Sequence, residues 1–356
     1  MVPRPGFLGS SRKYLDYLRQ SGATGRPSYL ILFVTSACGG SCPHCFVGSR
    51  LGGTNDLSFD ELARVSATAG SLGALLISGG EPFSRSDLAE IVSMFVENNG
   101  VRVCAIPTSG QDPDAVAGIT ARLVRAHPEL HLSVAPSIDA LEPLNDRLRY
   151  PGSYRGAREA IDRLLALRAK APQLEVVVHT VLSRHNIHQL DALMEEVAGW
   201  GVDSHSVELI RDPRSLPPLP ALREAHRRVL ANRARYLGSP LERVGILGSL
   251  ALAQRIKERS IAGRPFRCVA GRRVVVLDAD GALRPCEPLP PVGNVRDFDC
   301  DLARAYDSLG PRAPSSCEAC THVCFINASI ASQPVRWLEL PFAYLRHRLE
   351  EVLRDD

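Results

Sequence analysis

Three cysteines stand close together near the start of the chain, at Cys38, Cys42 and Cys45. Their Cys-x3-Cys-x2-Cys spacing places three thiols on one short loop, and Gly39 and Gly40 let that loop turn sharply. Three thiolates suit a four-iron cluster that keeps one iron open for a small molecule. A zinc site or a structural cysteine group is the alternative, but zinc usually takes four protein ligands. The spacing therefore favours an open iron–sulfur cluster.

A second set of cysteines lies in the last third of the chain. It comprises Cys268, Cys286, Cys317, Cys320 and Cys324. An Asp-Gly turn between two apolar runs predicts a hairpin that brings the first two thiols together. Five thiols are then available for a site that needs four. By itself the pattern fits a four-cysteine zinc ribbon as well as an iron–sulfur cluster.

Short apolar runs alternate with helical patterns in the first two thirds of the chain. The runs predict buried strands at 29–35, 74–78, 101–106, 131–136, 174–181 and 203–210. Amphipathic stretches predict helices at 58–72, 86–99, 112–126, 153–171 and 186–200. Repeated strand–helix units predict an α/β fold with parallel strands. Because eight units would close a barrel, six predict an open, partial (β/α)6 TIM-type barrel.

Five segments are expected along the chain. They are an N-terminal extension at 1–28, the partial barrel at 29–212, a proline-rich linker with helices at 213–264, a small β-hairpin and helix module at 265–330, and an amphipathic helix at 331–356. The first cysteine loop follows strand one, so it lies at the rim where parallel strands end. Strand alternation predicts that Ser137, Asp139, Thr180 and Glu208 point into the barrel near this rim.

These features resemble the radical S-adenosylmethionine (SAM) superfamily, whose signature is Cys-x3-Cys-x-aromatic-Cys. The resemblance implies that Cys38, Cys42 and Cys45 bind a [4Fe–4S] cluster, with His44 at the aromatic position near the adenine of SAM. After strand two, Ser78-Gly79-Gly80-Glu81-Pro82 is similar to the Gly-Gly-Glu-Pro segment whose backbone holds the SAM amino group.

The resemblance continues after strands three and four. Pro107-Thr108-Ser109-Gly110 is similar to Pro-Thr-Asn-Gly, and Ser137-Ile-Asp139-Ala140 to Ser-x-Asp-Gly. Asn145-Asp146-Arg-Leu-Arg149 is similar to a His-Asp-x-x-Arg stretch whose arginine meets the SAM carboxylate. The SAM-binding residues implied in this way are His44, Gly79, Gly80, Glu81, Thr108, Ser137, Asp139 and Arg149.

The second cysteine set resembles the C-terminal auxiliary-cluster modules called SPASM and, in a shortened form, twitch. A full SPASM module has seven cysteines and two clusters, whereas this region has six even when Cys300 is counted. A single-cluster twitch module is therefore expected, and beside such a barrel a [4Fe–4S] cluster is favoured over zinc. The preferred ligands are Cys268, Cys286, Cys317 and Cys320, with Cys324 as a substitute or an extra thiol.

The resemblance implies reductive cleavage of SAM to a 5′-deoxyadenosyl radical that abstracts hydrogen from a substrate, with a reductase or flavodoxin as electron donor. We expect an oxidoreductase that oxidises or rearranges a natural-product small molecule or a ribosomal peptide, with the auxiliary cluster as electron acceptor. Glu208 and Arg211 are catalytic candidates at the rim. The alternative is a redox-neutral epimerase with a donor thiol, for which Cys104 is a candidate. A two-cluster electron-transfer protein is an alternative of another class.

Composition narrows the range of partners. The net charge is +3, and no basic block with interleaved aromatic residues predicts nucleic-acid binding. Neither a signal peptide nor an apolar run of about 18 residues is seen, so a cytoplasmic protein is expected, whose cysteines bind metal rather than form disulfides. The short stretch before strand one favours a small molecule, or a peptide delivered by another protein.

The tail suggests one more alternative, an enzyme that works at a membrane surface on a lipid intermediate. Its apolar residues include Trp337, Leu338, Leu340, Phe342, Tyr344 and Leu345. Amphipathic tails more often pack on their own domain, so membrane contact is the less favoured interpretation.

Overall fold

The computed structural model describes residues 27–263, 266–310, 317 and 320–355. Six parallel strands lie side by side in chain order. They are β1 (Tyr29–Thr35), β2 (Ala74–Gly79), β3 (Val103–Thr108), β4 (His131–Pro136), β5 (Leu174–Leu182) and β6 (Ser204–Leu209). The predicted α/β fold with an open, partial barrel is confirmed. The predicted N-terminal extension lies almost entirely outside the described residues.

Helices connect the strands and cover the outside of the sheet. They are α1 (Phe59–Thr68), α2 (Leu88–Asn99), α3 (Pro113–Ala126), α4 (Leu144–Leu148), α5 (Ser153–Arg168) and α6 (Leu190–Ala198). After β6 come α7 (Leu219–Ala234), α8 (Pro240–Ile261), α9 (Leu302–Leu309), α10 (Val323–Ala331), α11 (Pro334–Trp337) and α12 (Glu339–Asp355). Short 3-10 turns occur at Gly48–Arg50, Pro82–Ser84, Ile187–Gln189, Pro213–Ser215 and Val295–Phe298. Across the described residues, none of the helices is long and apolar enough to cross a bilayer.

The predicted hairpin forms, but it joins the barrel sheet instead of standing apart from it. Its strands are β7 (Val274–Leu277) and β8 (Ala282–Arg284), followed by β9 (Gly293–Asn294). β7 pairs in parallel with β1, so the sheet order is β6-β5-β4-β3-β2-β1-β7-β8-β9. All four residues of β7 are buried, and this pairing satisfies the backbone of β1 that would otherwise form an open edge. The predicted segment boundaries after residue 212 remain predictions.

The side chains of β1 alternate between two packed layers. Leu30, Leu32 and Val34 belong to the main core between the sheet and its helices. Ile31 and Phe33 pack on the opposite face in a smaller cluster with the hairpin and α10. β1 is therefore buried on both faces, which explains its continuous apolar sequence. The loop that carries the three cysteines thus starts from a strand in which six of the seven residues are buried.

A capping interaction joins the start of α1 to the segment after the hairpin. Ser58 and Glu61 form a capping box, and both carboxylate oxygens of Glu61 accept hydrogen bonds from Arg296, at 2.6 and 3.0 Å. The bonds from Arg296, with those from Ser58, hold the pKa of Glu61 at about 2, below its ordinary 4.5. The ionised form is therefore favoured in the folded protein.

We expect Glu61→Gln to lower the free energy of unfolding by about 1 kcal/mol at neutral pH. The folded-state pKa is depressed, so this contribution is complete above about pH 4.5 and is lost as the pH falls toward 2. Urea unfolding at several pH values between 7 and 4 measures the difference in free energy of unfolding between wild type and variant. This difference should become smaller only near pH 4. Glu97→Gln, on the exposed end of α2, is the matched control. A gap that widens with acid would contradict this assignment.

Candidate active site

The loop after β1 is held against the loop after β2 by backbone hydrogen bonds. Gly80 N donates to Thr35 O and Glu81 N donates to Ala37 O, both at 2.8 Å. A Cβ atom at Gly79 would lie 2.3 Å from Thr35 O, and one at Gly80 would lie 2.1 Å from Ala37 O. Such distances are impossible for a side chain, so both positions require glycine. The two glycines therefore seat the cysteine loop directly on the end of β2.

The loop after β3 supplies a third support. The side chain of Gln111 accepts a hydrogen bond from Gly39 N at 3.2 Å and its Nε2 lies 4.0 Å from Cys38 Sγ. Gly40 N also donates to Cys38 Sγ, at 3.4 Å. Two N–H groups thus point at one thiol, an arrangement that favours its thiolate form. Burial raises the pKa of the Cys38 thiol, and these donors oppose that rise.

Glu81 ties the ends of β2 and β3 together through its buried carboxylate. Its two oxygens accept hydrogen bonds from Thr108 Oγ1 and Ser109 N, both at 2.7 Å, and also from Ser109 Oγ and Phe83 N. Thr108 Oγ1 in turn accepts from Gly110 N. The side chains of Glu81 and Thr108 are therefore occupied within the protein. Their part in binding SAM stays a prediction, and it would involve the backbone of this segment.

A buried ion pair forms at the end of β4. Asp139 Oδ2 lies 2.8 Å from Arg149 Nη1 and 3.2 Å from His44 Nε2, and Asp139 Oδ1 accepts from Val181 N. Burial alone would raise the pKa of Asp139, but Arg149 and His44 hold it well below its ordinary value. Asp139 therefore stays charged. It holds His44, the residue at the predicted aromatic position, against the barrel.

These loops surround one cavity of about 380 Å³ at the carboxyl ends of the strands. Most of the predicted site residues line it: Cys38, Cys42, His44, Cys45, Gly79, Gly80, Glu81, Thr108, Ser137, Arg149, Glu208, Arg211 and Cys324. Asp139 lies behind this wall and contacts it through His44 and Arg149. Residues at the ends of all six parallel strands, together with Cys324, thus line a single cavity. Parallel strands that follow one another in a sheet end at the same edge, which explains this convergence.

Two predicted orientations are wrong. Cys104 is fully buried in the core between sheet and helices, whereas its neighbours Ala105 and Pro107 line the cavity. Thr180 also points away from the cavity, since its hydroxyl donates to Ile138 O, and the adjacent His179 lines the chamber instead. In both cases the prediction chose the wrong face of an alternating strand.

Four ionisable side chains form two pairs on the cavity wall. Glu208 Oε1 lies 3.6 Å from His179 Nε2, and Arg211 Nη1 lies 2.7 Å from Glu287 Oε2. The guanidinium of Arg211 also stacks 3.6 Å from the centre of the ring of Phe46, the residue directly after Cys45. Although burial raises the pKa of Glu208, the neighbouring His179 holds it at about 2. Glu208 is thus an anion at neutral pH.

The thiols of the second cysteine set influence one another. Burial raises the pKa of Cys286, and Cys320 and Cys268 add to that rise. Burial likewise raises the pKa of Cys320 to about 11, and the charges of Cys268 and Cys317 contribute. The four preferred ligands therefore lie within electrostatic reach of one another. Cys300 is separate from them, in the main core.

Cys324 adjoins both the cavity and the other cysteines. It lies in the first turn of α10 and lines the cavity. Burial raises the pKa of its thiol, and the adjacent charges of Glu208 and Glu287 raise it further. Its side chain also packs in the apolar cluster that contains Cys268 and Cys286. Among the described cysteines of the second set, Cys324 is the one that lines the cavity.

The comparisons with known proteins agree with this geometry. Residues 32–197 match the Radical SAM superfamily. This segment is a radical SAM domain. The GTP 3′,8-cyclase of Klebsiella pneumoniae subsp. pneumoniae is 29% identical over 196 residues, which are 51% of this chain and 55% of the cyclase. The chain thus spans about half the length of that relative.

Two solved structures share the fold. SuiB of Streptococcus suis, bound to the precursor peptide SuiA, superposes with a TM-score of 0.56 at 17% identity, over 84% of this chain and 69% of SuiB. The protein anSMEcpe, with bound AdoMet and a peptide, gives a TM-score of 0.54 at 12% identity, over 92% of this chain and 98% of that one. Identities this low show the fold alone.

A radical SAM domain uses a [4Fe–4S] cluster and SAM, and the residues present suit both. Three thiols on one loop leave a fourth corner for SAM. Arg149 lies beside Cys42, and its buried Nε has no hydrogen-bond partner, as suits a site that receives a carboxylate. Within the described ranges, no three His, Cys, Asp or Glu side chains already have the geometry of a bound metal ion.

Sequence reasoning missed four residues of this radical SAM site. They are Gln111, Tyr150, His179 and Glu287, all of which line the cavity. Tyr150 donates to Ser109 O at 3.1 Å, so it fixes the loop after β3. The position of Glu287 beside Cys286 was a usable signal, because a charged residue next to a predicted ligand is rarely far from its site.

We expect Gly80→Ala to impair assembly of the SAM-binding cluster, because its Cβ would collide with Ala37 O and displace the cysteine loop. The predicted loss of stability is about 1–3 kcal/mol. Iron and sulfide content after anaerobic reconstitution measures cluster assembly, and thermal unfolding measures the loss of stability. Gly245→Ala is the matched control, since this exposed position in α8 has no atom within 4 Å of the added Cβ. Normal iron content and SAM binding in Gly80→Ala would refute the seating role of this glycine.

Proposed function

We propose that the protein is a radical SAM enzyme that oxidises or rearranges a natural-product small molecule or a ribosomal peptide. The observation that carries this proposal is the convergence of three thiols, the Gly79–Gly80 backbone and the unpartnered Nε of Arg149 on one chamber. The relatives support both substrate classes, because one is named for GTP and two are solved with peptides.

The chain's own residues would bind and orient the two cofactors. Cys38, Cys42 and Cys45 would hold the cluster, and Arg149 would hold the carboxylate of SAM. When bound, these cofactors supply one-electron cleavage of SAM and abstraction of a hydrogen atom from the substrate. The chamber's walls exclude water from that chemistry. Asp139 keeps Arg149 and His44 in place, so its effect on the reaction is one of positioning.

The polar wall supplies the groups for the substrate. Net oxidation by two electrons removes one hydrogen atom, one proton and one further electron. Glu208 lines the cavity 3.6 Å from His179, so its carboxylate is the candidate that would accept the proton from the substrate. Arg211 and Glu287 present a cation and an anion side by side, which favours a substrate with polar groups. Cys268, Cys286, Cys317 and Cys320 would hold an auxiliary [4Fe–4S] cluster that accepts the electron.

Replacement of Cys38, Cys42 and Cys45 by serine should abolish 5′-deoxyadenosine formation from SAM under dithionite, because no open cluster can form. The iron that remains should correspond to the auxiliary cluster alone. Cys104→Ser, in the core away from both cysteine groups, is the control and should retain activity. The proposal fails if the wild type makes no 5′-deoxyadenosine, which is also the result expected of a simple electron carrier, or if the triple variant still makes it.

Cys324 favours redox-neutral epimerisation as the second candidate function. Its thiol lines the chamber and can donate a hydrogen atom to a substrate carbon that has lost one. A C–H bond then forms as the S–H bond of Cys324 breaks. The sulfur radical that remains needs one electron and one proton, which a flavodoxin-type reductant and solvent supply. The substrate is then inverted without net oxidation.

Iron and sulfide counts distinguish the roles of the neighbouring thiols. Cys320→Ser should lose the iron of one cluster, whereas Cys324→Ser should keep the wild-type content. In D2O, an epimerised product would carry solvent deuterium at one carbon, while an oxidised product would be lighter by two hydrogens. Mass spectrometry reads both results. Loss of one cluster in Cys324→Ser would make this cysteine a ligand and remove the epimerase argument.

A further inference from the structure

The C-terminal helices present a row of apolar side chains to solvent. Five residues of α11 and α12, with Leu338 between the two helices, form this apolar face: Val335 (66% exposed), Leu338 (71%), Phe342 (72%), Leu345 (55%), Leu349 (62%) and Leu353 (75%). Their spacing of three or four residues places them on one side of the helix. Single exposed apolar residues are ordinary, but a contiguous row marks an interaction surface.

The other side of α12 is packed firmly on the protein. Ala343 is buried, and Leu340 and Tyr344 belong to the core cluster that α12 forms with α8. The backbone contact is so close that a Cβ atom at Gly248 of α8 would lie 2.5 Å from Leu340 O. The tail was expected to pack on its own domain, and one side of α12 does so, whereas its apolar face is exposed. This packing fixes the helix with its apolar face outward.

A basic groove of about 770 Å³ lies between α7, α8 and α12. This arginine groove is lined by Arg223, Arg227, Arg255, Arg259 and Arg346, with Glu258 and Glu350 as its acidic residues. Glu258 pairs with Arg223 and His226, and Glu350 pairs with Arg346. Both carboxylates are thus already engaged by cations.

Arg255 and Arg259, one turn apart on α8, have no carboxylate partner within the described ranges. Burial lowers the pKa of Arg255, and the like charges of Arg346 and Arg259 lower it further, against a smaller opposing effect of Glu339 and Glu350. An excess of positive charge is therefore concentrated in the groove, where an anion would relieve the repulsion.

The apolar face and the arginine groove are continuous. Leu353 belongs to the face and also lines the groove, and Arg346 lies between the two. Arg348, also exposed, lies at the opposite edge of the face. An apolar helix face bordered by arginines matches the boundary between phosphate headgroups and acyl chains. We propose that this combined surface binds a bilayer that contains anionic phospholipids.

A second copy of the chain fits the same surface less well. The apolar row runs from 335 to 353, fewer than three heptads, which is short for a stable coiled coil. Arg346 and Arg348 at its two edges would face like charges in a symmetric pair. Anionic headgroups, by contrast, complement the arginines at both edges and in the groove.

Vesicle flotation tests the proposal with the full-length protein. Vesicles of phosphatidylcholine with phosphatidylglycerol should bind the wild type, and vesicles of phosphatidylcholine alone should bind it much more weakly. Added salt should weaken the binding. Phe342→Ser with Leu345→Ser and Leu349→Ser should abolish it, and Arg255→Gln with Arg259→Gln should lower the partition coefficient by roughly tenfold or more. These side chains are exposed or line an open groove, so folding should be preserved, which circular dichroism checks.

Matched controls lie elsewhere on the surface. Leu241→Ser removes an apolar side chain that is 60% exposed, and Arg102→Gln with Arg125→Gln removes two exposed charges. Both should bind as the wild type does. The proposal is overturned if the wild type fails to bind anionic vesicles at low salt, or if the triple serine variant binds them equally. It is also overturned if sedimentation shows a dimer that this variant dissociates. None of these readouts depends on SAM cleavage.

Discussion

The contact between the loops after β1 and β2 is the constraint on which the site depends. Neighbouring parallel strands end at the same edge of the sheet, so the loops that follow them lie very close together. Glycine at positions 79 and 80 removes the atoms that would collide, and two backbone hydrogen bonds then seat the cysteine loop. Because the contact joins backbone to backbone, it fixes the position of the loop whatever the rotamers of its thiols. The thiols remain free to turn toward iron.

Buried charge organises the rest of the chamber. Glu81 and Asp139 are both almost fully buried, and each carboxylate accepts hydrogen bonds from more than one loop. A buried carboxylate is costly unless its oxygens are satisfied, so these residues impose a single arrangement on the segments that satisfy them. Their role is to set the geometry of the wall. The Nε of Arg149, which lacks a hydrogen-bond partner, differs in this respect from the carboxylates of Glu81 and Asp139.

The barrel could be predicted because its information is local. The apolar run at 131–136 predicted both ends of β4 correctly. The motifs at the strand ends lie together because parallel strands end at the same edge of the sheet. The errors have non-local causes. The orientations of Cys104 and Thr180 were predicted from the alternation of side chains along a strand, and an offset of one residue reverses such a prediction. The pairing of β7 with β1 joins segments more than 240 residues apart, and no periodicity within either strand reports it.

That long-range pairing has a functional consequence. Because β7 lies beside β1, the hairpin carries Cys286 and Glu287 to the side of the chamber that β1 through β6 leave open. Cys324 reaches the same cavity from the first turn of α10. The last third of the chain therefore adds the carboxylate of Glu287 and the thiol of Cys324 to the cavity wall, beside the groups that the six parallel strands themselves supply there.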